Sequence, residues 1–322
     1  MWRGVKVMKG NLIQRVSSLW GPWYNDNIYY RYYLAIRPPI QRWALRLLLL
    51  LPAVLTTAYR QLSGQFELLR VEIPITTRCT LRCRDCCNLI PYYEKPSDLD
   101  TGQLLRDIDD FLGNVDRVYR IVVMGGEPFL HPGLATILNH LIQQPKVNIV
   151  HIFTNATIMP APGVMDLVSH PKVYLTISKY PDGLSRCTEE LRAALKQRRA
   201  HYTVTESDWR DMGGFDPGLN DSPQVLKERF AACAIKICHN LFDGAFHVCP
   251  RSGHGQRLGQ FPPDSSDSVP FRDRHDPREF QEGLRRVLAK DFIAACRKCN
   301  GTGGTILPAA VQIGRKERCL KC

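Results

Sequence analysis

Apolar positions between residues 69 and 205 switch repeatedly between two periods. Residues 69–75, Leu-Arg-Val-Glu-Ile-Pro-Ile, are rich in β-branched side chains and predict a first strand. Asp100 and Gln103 then suit a capping box, and Leu104, Ile108, Phe111 and Leu112 follow at helical spacing. Residues 120–124 are a short run of the buried-strand type, and Pro132 suits the first turn of a second helix. Further strands are predicted at 147–153, 173–177 and 200–204, with a helix over 184–198 between the last two. Strands alternating with helices in this way imply a parallel sheet with crossover helices, an α/β fold.

The regularity fades after about residue 206. Residues 212–223 read as loop, with Gly213, Gly214, Pro217 and Gly218 close together. Residues 241–248 predict a hairpin turning at Asp243-Gly244. Residues 257–274 are polar and proline-bearing, an expected exposed loop or linker, and Phe280, Leu284, Val287 and Leu288 mark one more amphipathic helix. The tail from Gly301 is glycine-rich, then basic. The expected organisation is an N-terminal arm at 1–66, an α/β core at 67–225 and a cysteine-bearing module at 226–322. No self-similarity of repeat length is visible, which excludes a solenoid.

Charge changes the picture only at the N-terminus. The chain carries a net charge of +12, and residues 1–61 hold nine Lys/Arg against one acid, Asp26. Four of the five tryptophans lie there too, with a run of tyrosines. A basic, aromatic arm fits three settings: a helical arm packed on the core, peripheral contact with an anionic membrane surface, and, least well, nucleic acid. The most apolar run, 47–55, contains Pro52. It is shorter than the roughly 18–20 residues a membrane span requires. Residues 1–20 lack the apolar stretch of a secretory signal. A reducing, cytoplasmic setting is expected, with the membrane surface as the peripheral option.

Twelve cysteines then demand an account. Cys79, Cys83, Cys86 and Cys87 crowd one place, and eight more follow residue 186. Clustering of this kind in a long chain points to metal ligation rather than to disulfides. Cys79, Cys83 and Cys86 follow the first strand directly with spacing C-x3-C-x2-C. Three thiolates on a short loop can hold three corners of a four-iron cube, and a fourth would close it. One iron without a protein ligand is an open site for chemistry.

That spacing, and the segment Thr77-Arg78-Cys79-Thr80-Leu81-Arg82-Cys83, resembles the radical S-adenosylmethionine (radical SAM) superfamily. Met124-Gly125-Gly126-Glu127-Pro128 stands where that family has Gly-Gly-Glu, about 40 residues after the cysteines. Thr154-Asn155-Ala156 resembles its Thr-Asn-Gly, and Ser178 ends the fourth strand where the family presents a polar group. All lie at C-terminal strand ends, where α/β sheets collect ligands. The resemblance implies a partial (β/α)6 TIM-like barrel and a 4Fe-4S cluster on Cys79, Cys83 and Cys86. It also implies S-adenosylmethionine bound through Gly125, Gly126, Glu127, Asn155 and Ser178, with Glu127 accepting from the methionine ammonium. Taken singly, Gly-Gly-Glu-Pro is a tight strand-exit turn, and Asn155 and Ser178 are polar strand caps. One departure is Asp85, which stands where the family often has an aromatic or apolar adenine contact. Cys87 reads as a spare thiol and Cys187 as an ordinary one.

Downstream, Cys233, Gly244 and Cys249 with Cys296-x2-Cys299 resemble the SPASM/twitch extension of the same superfamily, which holds an auxiliary cluster. Cys238 competes with Cys233 as a ligand. The full seven-cysteine pattern is not reproduced. A rival pairs Cys296-x2-Cys299 with Cys319-x2-Cys322 as a zinc ribbon. The resemblance implies hydrogen abstraction by a 5′-deoxyadenosyl radical, with electrons from a one-electron donor such as a flavodoxin or ferredoxin. A glycan or small molecule is the expected substrate, with a peptide as the alternative. A zinc-ribbon nucleic-acid binder is the alternative of another class. No catalytic residue beyond the cofactor ligands is assigned.

Overall fold

The computed structural model describes residues 65–262, 267–272 and 276–314. The basic arm, save Gln65 and Phe66, lies outside them with its expected contacts, as do Cys319 and Cys322 of the zinc alternative.

Five strands run parallel: β1 (Glu67–Thr76), β2 (Arg117–Gly125), β3 (Val147–Thr154), β4 (Val173–Ser178) and β5 (His201–Thr205). Helices cross between them: α1 (Thr101–Gly113), α2 (Leu134–Gln143), α3 (Pro162–Leu167) and α4 (Thr188–Gln197). Asp100 caps α1 by accepting the Gln103 N–H at 2.8 Å. Its apolar face, Leu104, Ile108, Phe111 and Leu112, is buried as the spacing predicts.

Later elements add to the same sheet. After β6 (Trp209–Arg210) and α5 (Pro223–Ala232), β7 (His239–Phe242) lies parallel to β1 on the side away from β2. It is the sixth parallel strand of the α/β sheet. β8 (Ala245–His247) returns antiparallel through Asp243 and Gly244, whose φ values of 50° and 76° match a two-residue hairpin turn. One continuous sheet therefore spans the expected 225/226 boundary.

Several expectations need correction. The stretch 257–274 is not merely loop: β9 (Ser268–Pro270) pairs with β8 and buries Val269, and Phe271 follows it into the core. Only two apolar side chains alternate there, too few to register as a period. α6 (Pro250–Arg257) was not anticipated, because its buried face is made of Arg251, Ser252, Gly253 and His254. Pro132 precedes α2 rather than opening it, since Gly133 takes the N-cap position. The helix predicted from 184 begins at Thr188, because Ser185 Oγ turns back to bond Tyr180 N–H and Ser178 O. α7 (Pro277–Leu288) follows as expected. In the tail, β10 (Ile306–Leu307) pairs with β6.

The sheet has two unlike faces. Val71, Ile73, Ile121, Val123, Val150, Ile152, Leu175 and Ile177 join the helices in one apolar core. On the opposite face Asn240, Glu72, Val122, His151 and Tyr174 stand in register across five strands. Glu72 there is held by Arg70 at 2.6 Å and by Asn240 Nδ2 at 3.1 Å. Among the described residues no helix is long and apolar enough to cross a membrane.

Phe111 ties the early and late elements together, with ring centroids 5.9 to 6.4 Å from Phe246, Phe271 and Phe280. Truncation of a fully buried phenylalanine costs about 3–5 kcal/mol. Phe111→Ala is expected to lower the denaturation midpoint as a single shifted transition. Two separate transitions in urea would show that the C-terminal elements fold independently.

Candidate active site

The exit of β1 lies directly on the exit of β2. Gly126 N–H donates to Thr76 O and Glu127 N–H to Arg78 O, both at 2.9 Å. A Cβ on Gly126 would stand 2.1 Å from Arg78 O and 2.8 Å from Cys79 Cβ, and one on Gly125 would stand 2.3 Å from Thr76 O. Both positions must be glycine because the cysteine loop's own backbone occupies that space. Asp98 braces the loop from the other side, accepting from Thr76 Oγ1 and pairing with Arg78, each at 2.7 Å.

Glu127 is completely buried and does not face the cavity. Its carboxylate accepts from Phe129 N–H at 3.1 Å, Thr154 Oγ1 at 2.9 Å and Asn155 N–H at 2.8 Å. The side chain thus ties the β3 exit to the Gly-Gly turn. Burial outweighs these bonds and raises its pKa from 4.5 to about 7. Asn155 continues the link: Nδ2 donates to Thr80 Oγ1 at 3.2 Å and to Cys79 Sγ at 3.6 Å, while Oδ1 accepts from Thr157 N–H at 3.0 Å. Ala156, where the resembling family has glycine, adopts φ +50°.

A cavity of about 360 Å³ opens above these strand ends. Cys79, Cys83, Cys86, Gly125, Gly126, Asn155 and Ser178 all line it, so four strand-end or loop segments meet in one place. Sequence reasoning missed Met124, Phe153, Tyr180, Trp209 and Met212, which complete the wall. Tyr180 and Trp209 meet edge-on at 5.6 Å and pack over the cysteine loop. Trp209 is brought there by the β6–β10 pairing, which carries no local signal. Asp85 also lines the cavity, paired to Arg84 at 3.0 Å, and so does Cys87.

Burial raises the pKa of all three thiols, that of Cys83 to about 12. Such groups ionise only if a cation joins them. N–H donors already point at the sulfurs: Leu81 N–H at 3.4 Å from Cys79 and Gln312 Nε2 at 3.3 Å from Cys83. Among the described residues no three His, Cys, Asp or Glu side chains converge on the position of a single ion. Ligands of a cube sit at separate corners, and three thiols around one cavity, Cys83 buried and Cys79 and Cys86 half-buried, fit that group.

A second set of thiols surrounds a narrow cleft. Cys233 ends α5, Cys249 precedes α6, and Cys296 and Cys299 lie in and just after the turn Ala294–Lys298. All four line the cleft with Arg229 and Arg251. Cys238 does not; it sits beside Glu72 and Arg70 on the polar face of the sheet. Geometry therefore groups Cys233, not Cys238, with the other three. Burial, and then the charges of Cys299, Cys296 and Cys233, raise the pKa of Cys249 well above its ordinary value.

Residues 73–184 match the profile of the Radical SAM superfamily. Among solved structures, BtrN in complex with AdoMet and 2-DOIA shares 15% identity over 76% of this chain and 96% of its own, with a TM-score of 0.45. Streptococcus suis SuiB bound to S-adenosylmethionine shares 13% over 91% of this chain and 85% of its own, with a TM-score of 0.40. AdoMet-bound anSMEcpe shares 15% over 42% of this chain, at a TM-score of 0.34, and the match spans 41% of that protein's length. No curated protein sequence matches.

Glu127 makes stability depend on pH in a definite direction. Between 4.5 and about 7 the folded chain keeps a proton that the unfolded chain has released, so stability falls as pH rises through that window. At 1.36 kcal/mol per pKa unit the loss is on the order of 3 kcal/mol. Glu127→Gln is expected to flatten this slope. Denaturation midpoints of both metal-free proteins at about pH 5 and about pH 7.5 test it, and parallel profiles would refute a protonated buried carboxyl.

Proposed function

We propose, from the premise that this chain is a radical SAM enzyme whose family domain spans residues 73–184, that it abstracts hydrogen from a glycan or small-molecule substrate, leading to oxidation or rearrangement. A four-iron cluster on Cys79, Cys83 and Cys86 supplies the electron that splits S-adenosylmethionine to a 5′-deoxyadenosyl radical. The observation carrying this assignment is the shared cavity, in which the three thiols face Gly125, Gly126, Asn155 and Ser178 across about 360 Å³.

Each residue then has a task. Backbone at Gly125 and Gly126, with Asn155 and Ser178, contacts the cofactor. Glu127, already engaged by three donors, holds the β3 exit in position instead of meeting the methionine ammonium. Tyr180 and Trp209 keep water from the radical. A flavodoxin or ferredoxin is the proposed electron source. Cys233, Cys249, Cys296 and Cys299 hold an auxiliary cluster of the SPASM/twitch kind.

A wider groove of about 700 Å³ shares Tyr180 with the cavity. Lys179, Asp182, Glu206 and Asp208 line it, polar groups suited to a hydroxyl-rich glycan. Its three carboxylates oppose an acidic peptide by like-charge repulsion.

Anaerobic reconstitution is expected to load iron and sulfide and to give reductant-dependent 5′-deoxyadenosine, which Cys83→Ala abolishes. Cys249→Ala should keep the first cluster while iron falls by about half, as loss of one of two cubes requires. Cys238→Ala should keep both. Bound zinc without iron would favour the nucleic-acid binder instead. Unchanged iron in Cys249→Ala would remove the auxiliary cluster from the account. Deuterium transfer into 5′-deoxyadenosine from labelled glycans, small molecules or peptides identifies the substrate class.

A further inference from the structure

Arg251 is the largest side chain in the fully buried set, with 1% exposure. It follows Cys249 by two residues on the first turn of α6 and lines the four-thiol cleft. One end of its guanidinium is well held: Nη2 donates to Gly214 O at 2.6 Å and to Lys298 O at 2.8 Å. Its Nε–H has no partner. Both acceptors are neutral carbonyls, and Arg251 forms no ion pair among the described residues; the carboxylate its charge does act on, Asp216, is paired with Lys298 instead. The other arginine on the cleft differs, since Arg229 pairs with Asp221.

Arginine does not escape burial by losing its proton. A guanidinium out of water without an anion carries a penalty of several kcal/mol. Thiols in their neutral form give it no counter-charge. Four thiolates around a metal centre leave that centre with net negative charge, and they line the same cleft.

We propose that Arg251 is the counter-charge of an anionic metal–thiolate cluster held by Cys233, Cys249, Cys296 and Cys299. The inference rests on the auxiliary-cluster reading of that cleft. Arg251 is a positioning residue: it orders Gly214 and Lys298 through Nη2, and its charge favours the reduced, more negative state of the cluster. The reduction potential is set in part by this one side chain.

Two variants separate charge from hydrogen bonding in the full-length, reconstituted protein. Arg251→Gln keeps donors for the carbonyls but removes the charge, and Arg251→Lys keeps the charge but loses the fork. The readout is the midpoint potential of the EPR signal that S-adenosylmethionine does not alter. The expected result is a clear negative shift in Arg251→Gln and a potential near the parent's in Arg251→Lys. Equal shifts in both, or none in Arg251→Gln at full iron content, would overturn the assignment. Iron lost from Arg251→Gln alone supports it, and iron lost from Arg251→Lys alone overturns it. If both variants lose iron, the parent decides: with 15N at arginine Nε, a hyperfine coupling to the reduced cluster is expected, and its absence is fatal. A parent protein that loads iron for one cluster only would refute the auxiliary-cluster reading itself.

Discussion

The contact on which the site depends is backbone against backbone, where the loop leaving β1 rests on Gly125 and Gly126. Ladder pairing between β1 and β2 ends with an irregularity between Pro74 and Thr76, and the two bonds from Gly126 and Glu127 extend it into the cysteine loop. A loop with little regular structure of its own thereby inherits the rigidity of a parallel sheet. The three thiols are placed by the strands beneath them, with Asp98 and Asn155 as braces. Any side chain in that seat would collide with the loop's backbone and force it to shift.

Energetic burdens gather at the same strand ends. A carboxyl group is sealed under the Gly-Gly turn, three thiols are withdrawn from water, and a non-glycine residue, Ala156, sits at positive φ. The helix-covered face of the sheet supplies the compensating apolar burial. Such a division is common in α/β folds: regularity below, strain and desolvation at the carboxyl edge, where ligands repay part of the cost.

What was legible in the sequence follows from how local each signal is. Strand and helix periods, the cap at Asp100 and the hairpin at Asp243-Gly244 depend on neighbours within a few residues, and they place β1 to β5, α1 and α7 within a few positions. The three cysteines and Gly-Gly-Glu are likewise short motifs. The bonds that Glu127 accepts from Thr154 and Asn155 were not legible, because those donors lie nearly 30 residues on. Trp209 reaches the cavity through pairing with Ile306 and Leu307, and Gln312 reaches Cys83 across 229 residues, neither of which leaves a period to read. Spacing alone left Cys233 and Cys238 nearly equivalent. A helix end at Cys233 and a strand start after Cys238 give them different surroundings, the four-thiol cleft for one and the Glu72–Arg70 pair for the other.

Ile235 lines both the cavity of the first three thiols and the cleft of the other four. With both filled as proposed, a single aliphatic side chain partitions them. Ile235 stands four residues before β7, so the side chain common to both linings hangs from the same sheet that carries the first three thiols.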